Sequence, residues 1–168
     1  MPTPDLRPAT ASDYSFVRDI FARPENAGRL DSYSEDAFAA AVSDPAMDIL
    51  IYPASGAPKG YVWLSQIGKR PGTVKVEELA IAAPGQGFGR ALIAALVAKL
   101  GDMHLTQIWL RVAENNGAAI RFYESLGFEK DGQPEIWTGN DGREVPVYRM
   151  EARLSRLQQG LETRRTTS

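Results

Sequence analysis

Residues 81–100 read IAAPGQGFGRALIAALVAKL, and no other stretch of the chain narrows the choice of fold as far. Gly85, Gly87 and Gly89 crowd together directly ahead of an almost uncharged helical pattern. A strand that passes through such a turn into a helix is anion-binding architecture. The first turn of a helix leaves backbone N–H groups without partners, and the helix dipole favours negative charge there. Glycine lets the main chain come close to a phosphate. No acidic residue opens this helix; Arg90 does, which further favours an anionic ligand.

The spacing limits which anion. A P-loop needs Lys followed by Ser or Thr after its last glycine, and neither follows here. Gly85 and Gly87 match the start of a dinucleotide fingerprint, G-x-G-x-x-G, but its sixth position is Arg90. That fingerprint also opens a βαβ unit, whereas this turn follows strands that read as antiparallel. A plain packing turn with no ligand accounts for the glycines equally well.

The rest of the chain supplies the frame. "LRPATASDYSFVRDIFA" reads as a short strand and a helix, with Thr10 and Asp13 spaced as a capping box. "SEDAFAAAVSDP" is a second helix capped by Ser34. "MDILIYP" and "GYVWLSQIG" form a hairpin, and "TVKVEELAIAA" is a third strand of the same sheet. A long helix over residues 88–100 follows, then the strand "TQIWLRV" and a helix over residues 118–126. "FEKDGQ" and "EVPVYRMEARL" close the domain as strands, with a turn signal in "TGNDGRE". This order predicts a mixed α/β or α+β fold in one domain over residues 1–154, followed by a polar tail, 155–168, expected to be frayed or disordered.

Composition excludes several chemistries. A net charge of −2 offers no broad nucleic-acid surface. The absence of cysteine rules out a disulfide, a thiolate metal site and a Cys nucleophile. The single histidine, His104, leaves no histidine cluster for zinc, so no metal is expected. No apolar run reaches membrane-spanning length and no signal-peptide core opens the chain, so a soluble, cytoplasmic protein that binds neither membrane nor nucleic acid is expected.

"ENNGAAIRFYESLGFEKDG" decides between the readings of the glycine turn. With the glycine segment it resembles the GNAT superfamily of acetyl-CoA-dependent N-acetyltransferases. Asn116, Ala119, Tyr123, Gly127 and Phe128 fall in register with the family's N-x-x-A-x-x-x-Y-x-x-x-G-F signature. Gly87 and Gly89 take the small positions of its Q/R-x-x-G-x-G/A phosphate loop, and the opening "LRPATASD" is also typical. The resemblance runs over roughly residues 5 to 153. It implies a central mixed, largely antiparallel sheet with one splayed parallel strand pair and about four flanking helices. It also implies acetyl-CoA as cosubstrate and a small-molecule amine or a protein amino group as acceptor. Homodimers are common among such relatives. One position departs: Pro84 stands where the loop usually has Gln or Arg, and it offers neither an N–H nor a long polar side chain.

The resemblance also assigns roles. The N–H groups of Gly85, Gln86, Gly87, Phe88, Gly89 and Arg90 are expected to hold the CoA pyrophosphate, with Arg90 a replacement for the missing Gln or Arg. Backbone groups of Leu79, Ala80, Ile81 and Ala82 are expected to pair with the pantetheine arm. Asn116, Ala119 and Phe122 are expected to border it. Tyr123 is expected to serve the departing thiolate, although Ala119, Phe122, Tyr123 and Leu126 also form a core-type stripe. Glu77 and Glu78 are the candidate bases. Strict alternation puts Glu77 on the face of Leu79 and Ile81, which favours Glu77. Arg111 stands where some relatives carry a carboxylate. Arg29, Asp31, Tyr33 and Trp137 are candidates for the acceptor pocket. A non-catalytic acyl-CoA sensor of the same shape is the alternative reading.

Overall fold

The computed structural model describes residues 5–67 and 69–166, with side chains described as far as residue 162. In chain order the elements are β1 (Arg7–Pro8), α1 (Tyr14–Phe21), α2 (Glu35–Val42), β2 (Asp48–Tyr52), β3 (Gly60–Ser65), β4 (Thr73–Ile81), α3 (Phe88–Asp102), β5 (Gln107–Ala113), α4 (Gly117–Leu126), β6 (Glu129–Lys130), β7 (Glu135–Thr138), β8 (Glu144–Arg153) and α5 (Leu154–Thr166). The predicted caps form: Ser34 Oγ accepts from the Ala37 N–H at 3.1 Å, and Asp13 Oδ2 accepts from the Thr10 N–H at 2.8 Å. Asp13 also pairs with Arg7 at 2.9 Å, which holds its carboxyl below the usual range.

The strands form one sheet in the order β1-β2-β3-β4-β5-β8-β6, with β7 paired to β8 as well. Every pairing is antiparallel except β4 with β5. That parallel pair runs only from Thr73 opposite Gln107 to Val76 opposite Leu110. Beyond it, β4 continues to Ile81 and β5 to Ala113, and the two strands part.

The parting has a local cause. Trp63 of β3 lies opposite Glu78 and Leu64 opposite Val76, so Glu77 is an extra residue with no partner on β3. Such a bulge bends its strand and increases the local twist. Here it falls immediately after the last residue of β4 that pairs with β5.

An apolar layer lies on each face of the sheet. On one face α3, α4 and α5 cover Val62, Leu64, Val74, Val76, Ile108 and Leu110. On the other, α1 and α2 cover Ile49, Ile51, Tyr61, Trp63 and Ala80. Each fully buried Leu or Ile contributes about 1.5–3 kcal/mol, so the two layers account for a large share of the stability.

The tail expected to be frayed is instead the helix α5. Leu154 and Leu157 are buried and Leu161 packs against the same layer, an i, i+3, i+7 stripe. Gly160 lets the helix approach closely, because a Cβ there would run into the Leu126 carbonyl. The short strand β7 pairs Glu135 to Thr138 with Val147 to Glu144 across the turn signalled by "TGNDGRE".

Candidate active site

The glycine turn has the conformation an anion cradle needs. Gly85 and Gly87 hold φ of +85° and +81°, which other L-residues rarely adopt. A Cβ at either would meet open space beyond its chain neighbours, so their φ and not crowding calls for glycine. The first helical bond of α3 is Ala91 N–H to Gly87 C=O, and among the described residues no acceptor takes the N–H groups of residues 87–90. No acid occupies the first turn. Gly89 serves packing as well, since a Cβ there would sit 3.5 Å from Phe122 Cζ.

The Arg90 side chain does not fill the place left by Pro84. Its guanidinium donates to the Leu161 carbonyl of α5. Lys59 is better placed: its ammonium lies 5.6 Å from the Phe88 ring centre, at the start of α3. Sequence reasoning missed Lys59 because it comes from the end of the β2–β3 connection, far from the loop in the chain.

Where β4 and β5 part, a cleft opens between them. Tyr123, Asn116 and Ala119 of the α4 segment line one wall, and Val76, Glu77, Glu78 and Leu79 line the other. Asn116 also caps α4, its Oδ1 accepting the Ala119 N–H at 3.3 Å. Tyr123 is buried beside Phe122 and Phe128, and burial pushes its phenol up to about 12.

The strand edge facing the cleft is narrower than expected. The Ala82 N–H donates to Lys59 C=O at 2.8 Å, and the Ala82 C=O accepts from Arg23 Nη1 at 2.6 Å. With Ala82 bonded to β3, antiparallel alternation turns the backbone of Ala80 to β3 as well. Leu79 and Ile81 are left facing the gap, and they are the two residues able to pair with an inserted ligand.

The bulge also corrects the reading of the two glutamates. Leu79 and Ile81 pack on the α3–α4 face, but Glu77 lies with Lys75 on the opposite side. Glu77 is committed there: it pairs with the buried Lys75 ammonium at 2.9 Å and accepts the Ser65 hydroxyl at 2.6 Å. Glu78 is 5% exposed. The Tyr61 hydroxyl donates to its Oε2 at 2.8 Å and the Asp31 N–H to its Oε1 at 2.7 Å. Burial pushes the Glu78 carboxyl from 4.5 up to about 8, and these two hydrogen bonds restrain the rise. The second mouth of the cleft lies beyond them, a pocket lined by Arg29, Asp31, Tyr33, Arg111 and Trp137 among others.

These features match known proteins. Residues 14–128 match the model of the acetyltransferase (GNAT) family. The chain belongs to the GNAT family. It is 37% identical to a mycothiol acetyltransferase of Salinispora tropica over 93 residues, covering 52% of this chain and 30% of that protein. It is 43% identical to the ribosomal protein bS18-alanine N-acetyltransferase of Escherichia coli over 63 residues, covering 37% of this chain and 43% of that protein. The matches thus span less than half the length of these curated relatives. Among solved structures, a Vibrio cholerae spermidine N-acetyltransferase in complex with CoA and spermine superposes with a TM-score of 0.75 at 25% identity, covering 91% of this chain and 96% of that one.

The GNAT fold implies CoA, and the residues present fit it. The loop offers unpartnered N–H groups and a nearby cation to a diphosphate, and the cleft offers two unpaired residues of strand edge. Among the described residues, no helix is long and apolar enough to cross a membrane, and no three His, Cys, Asp or Glu side chains gather as a metal site.

Proposed function

We propose that this GNAT protein is an acetyl-CoA-dependent N-acetyltransferase that acetylates a primary amine by direct attack in a ternary complex. The observation that carries the reading is that Tyr123 and the buried Glu78 line one cleft beside β4, the strand that runs on into the turn whose N–H groups at residues 87–90 have no acceptor among the described residues. Acetyl-CoA, when bound, supplies the activated acyl group and a thiolate leaving group. The N–H groups of residues 87–90 and the Lys59 ammonium hold its diphosphate. The backbone of Leu79 and Ile81 aligns its arm along β4.

Glu78 takes the proton of the incoming amine. A lysine-like ammonium has a pKa of about 10.4, so its proton transfer to an ordinary carboxylate is uphill by about 8 kcal/mol. Raising Glu78 to about 8 reduces that to about 3 kcal/mol. Glu77 is unsuited to the task because it neutralises Lys75.

Tyr123 keeps its proton and donates a hydrogen bond to the developing thiolate. With the phenol at about 12, full transfer to a thiolate of pKa about 8.5 would be uphill by roughly 5 kcal/mol. Its burial makes it a neutral, preorganised donor.

Thiol release from acetyl-CoA across a panel of amines tests the reading. Turnover with at least one amine is expected, and Tyr123→Phe should lower kcat by about 10²–10⁴-fold. CoA binding with no turnover on any amine would instead favour the sensor.

A further inference from the structure

The acceptor mouth is lined by two guanidinium groups that no carboxylate hydrogen-bonds among the described residues. Three cations and three acids line the two adjoining pockets, but the acids are held by other partners. Lys75 and Glu77 neutralise each other at 2.9 Å. Asp31 Oδ1 is taken by the N–H groups of Ser32 at 3.0 Å and Asn140 at 2.8 Å, which fastens two loops together. Glu78 is buried, with its two oxygens taken by the Tyr61 hydroxyl and the Asp31 N–H. Arg29 and Arg111 remain. Both line the cleft and the outer pocket alike, so both face the space between Glu78 and solvent.

Neither guanidinium is satisfied by a close carboxylate. The nearest acid to Arg111 is the exposed Glu135 at 3.9 Å, too far for a hydrogen bond, and the Arg111 guanidinium rests 5.5 Å from the Trp109 ring centre. Arg29 makes no ion pair among the described residues, and its backbone is anchored by the bond from its N–H to Asn26 C=O. Arg29, with no ion pair among the described residues, and Arg111, with only the long, exposed pair to Glu135, leave guanidinium donors free for an anion that the ligand brings. A guanidinium presents a planar fork of donors matched to a carboxylate. A polyamine would set further ammonium groups against these two cations, which costs affinity.

We propose that the acceptor is a small primary amine that also carries a carboxylate, with the amine directed to Glu78 and the carboxylate held between Arg29 and Arg111. This rests on the acetyltransferase reading and adds the acceptor class to it. It makes Arg29 and Arg111 specificity residues. Free amino acids and the N-termini of short peptides both offer this chemistry, and they differ in the distance from amine to carboxylate.

The test uses matched sets that share a side chain: L-leucine, leucinamide, isopentylamine and leucylglycine, the same series built on phenylalanine, and spermidine. Each is assayed for kcat and KM with acetyl-CoA. The carboxylate-bearing member should lead its amide and its decarboxylated amine by about 10–100-fold in kcat/KM. The preference should fall toward unity in Arg29→Gln and Arg111→Gln, through KM rather than kcat. A lead by leucine over leucylglycine identifies the free amino acid as the acceptor, and the reverse identifies the peptide N-terminus. If amides, simple amines or spermidine turn over as well as the carboxylates do, the inference falls while acetyl transfer stands. If nothing turns over, acetyl transfer fails, and calorimetry on the CoA-loaded protein decides the remainder. Tighter binding of leucine or phenylalanine than of its amide upholds carboxylate recognition; equal or absent binding overturns it.

Discussion

The two mouths of the β4–β5 cleft are built by different means. The glycine-loop mouth is mostly main chain: N–H groups at the start of α3 and the unpaired edge of β4, with little side-chain charge beyond Lys59. The opposite mouth is almost wholly side chain, drawn from the segment before α2 and from β4, β5, β7 and β8. A main-chain site binds what relatives sharing the fold can bind, because it needs only glycines and a strand that stops pairing. A side-chain site can be changed one residue at a time. Conserving the first and varying the second lets one fold keep a cosubstrate and change its acceptor.

Substitutions that touch one mouth and spare the other sharpen this contrast. The largest effect is expected from Glu78→Gln, which should lower kcat by about 10²–10⁴-fold while leaving the KM for acetyl-CoA near its starting value. The amide can still accept the Asp31 N–H and donate to the Tyr61 oxygen, so the fold should persist. Stability supplies a second readout. Because folding raises the Glu78 pKa from 4.5 to about 8, its contribution is fully present below pH 4.5 and is lost as pH rises through 8. The glutamine variant should therefore match the parent near pH 4 and exceed it above pH 8 in denaturant titrations.

Gly87→Ala acts at the other mouth. It forces a Cβ onto φ of +81° and disturbs the N–H ring, so the KM for acetyl-CoA should rise by about tenfold with the acceptor KM unchanged. An equal rise in both constants would break the division between the mouths. Tyr61→Phe removes a hydrogen bond that lowers the Glu78 pKa, so the acidic, ascending limb of the pH–rate profile should move to higher pH by up to about one unit. Measuring parent and variant on the same amine removes the amine's own ionisation from the comparison. The smallest effect belongs to Lys59→Ala: a rise of a few-fold in the KM for acetyl-CoA that fades at high salt.

The glycine-loop mouth was legible in the sequence as a local feature because its determinants lie close together in the chain. The glycine turn, the apolar helix behind it and the signature around Tyr123 each lie within about 20 residues, and their spacing carries the geometry. The acceptor mouth was legible only as a set of candidates. Arg29, Asp31, Tyr33 and Trp137 do line it, but their roles follow from pairings made across the fold. The face expected for Glu77 differs from the one it takes because alternation assumes a regular strand. The bulge is set by register against β3, and it moves Glu77 to the side away from Leu79 and Ile81. Arg23 reaches Ala82 across 59 positions, beyond any local pattern. In α5 the Leu154, Leu157 and Leu161 stripe was present, diluted by a polar composition that reads as a tail.

A crystal structure with CoA bound tests the central claim most directly. The expected result places the diphosphate on the N–H groups of residues 87–90, the arm along Leu79 and Ile81, and the sulfur within hydrogen-bond reach of the Tyr123 hydroxyl. A CoA molecule seated elsewhere, or a sulfur remote from both Tyr123 and Glu78, would contradict it.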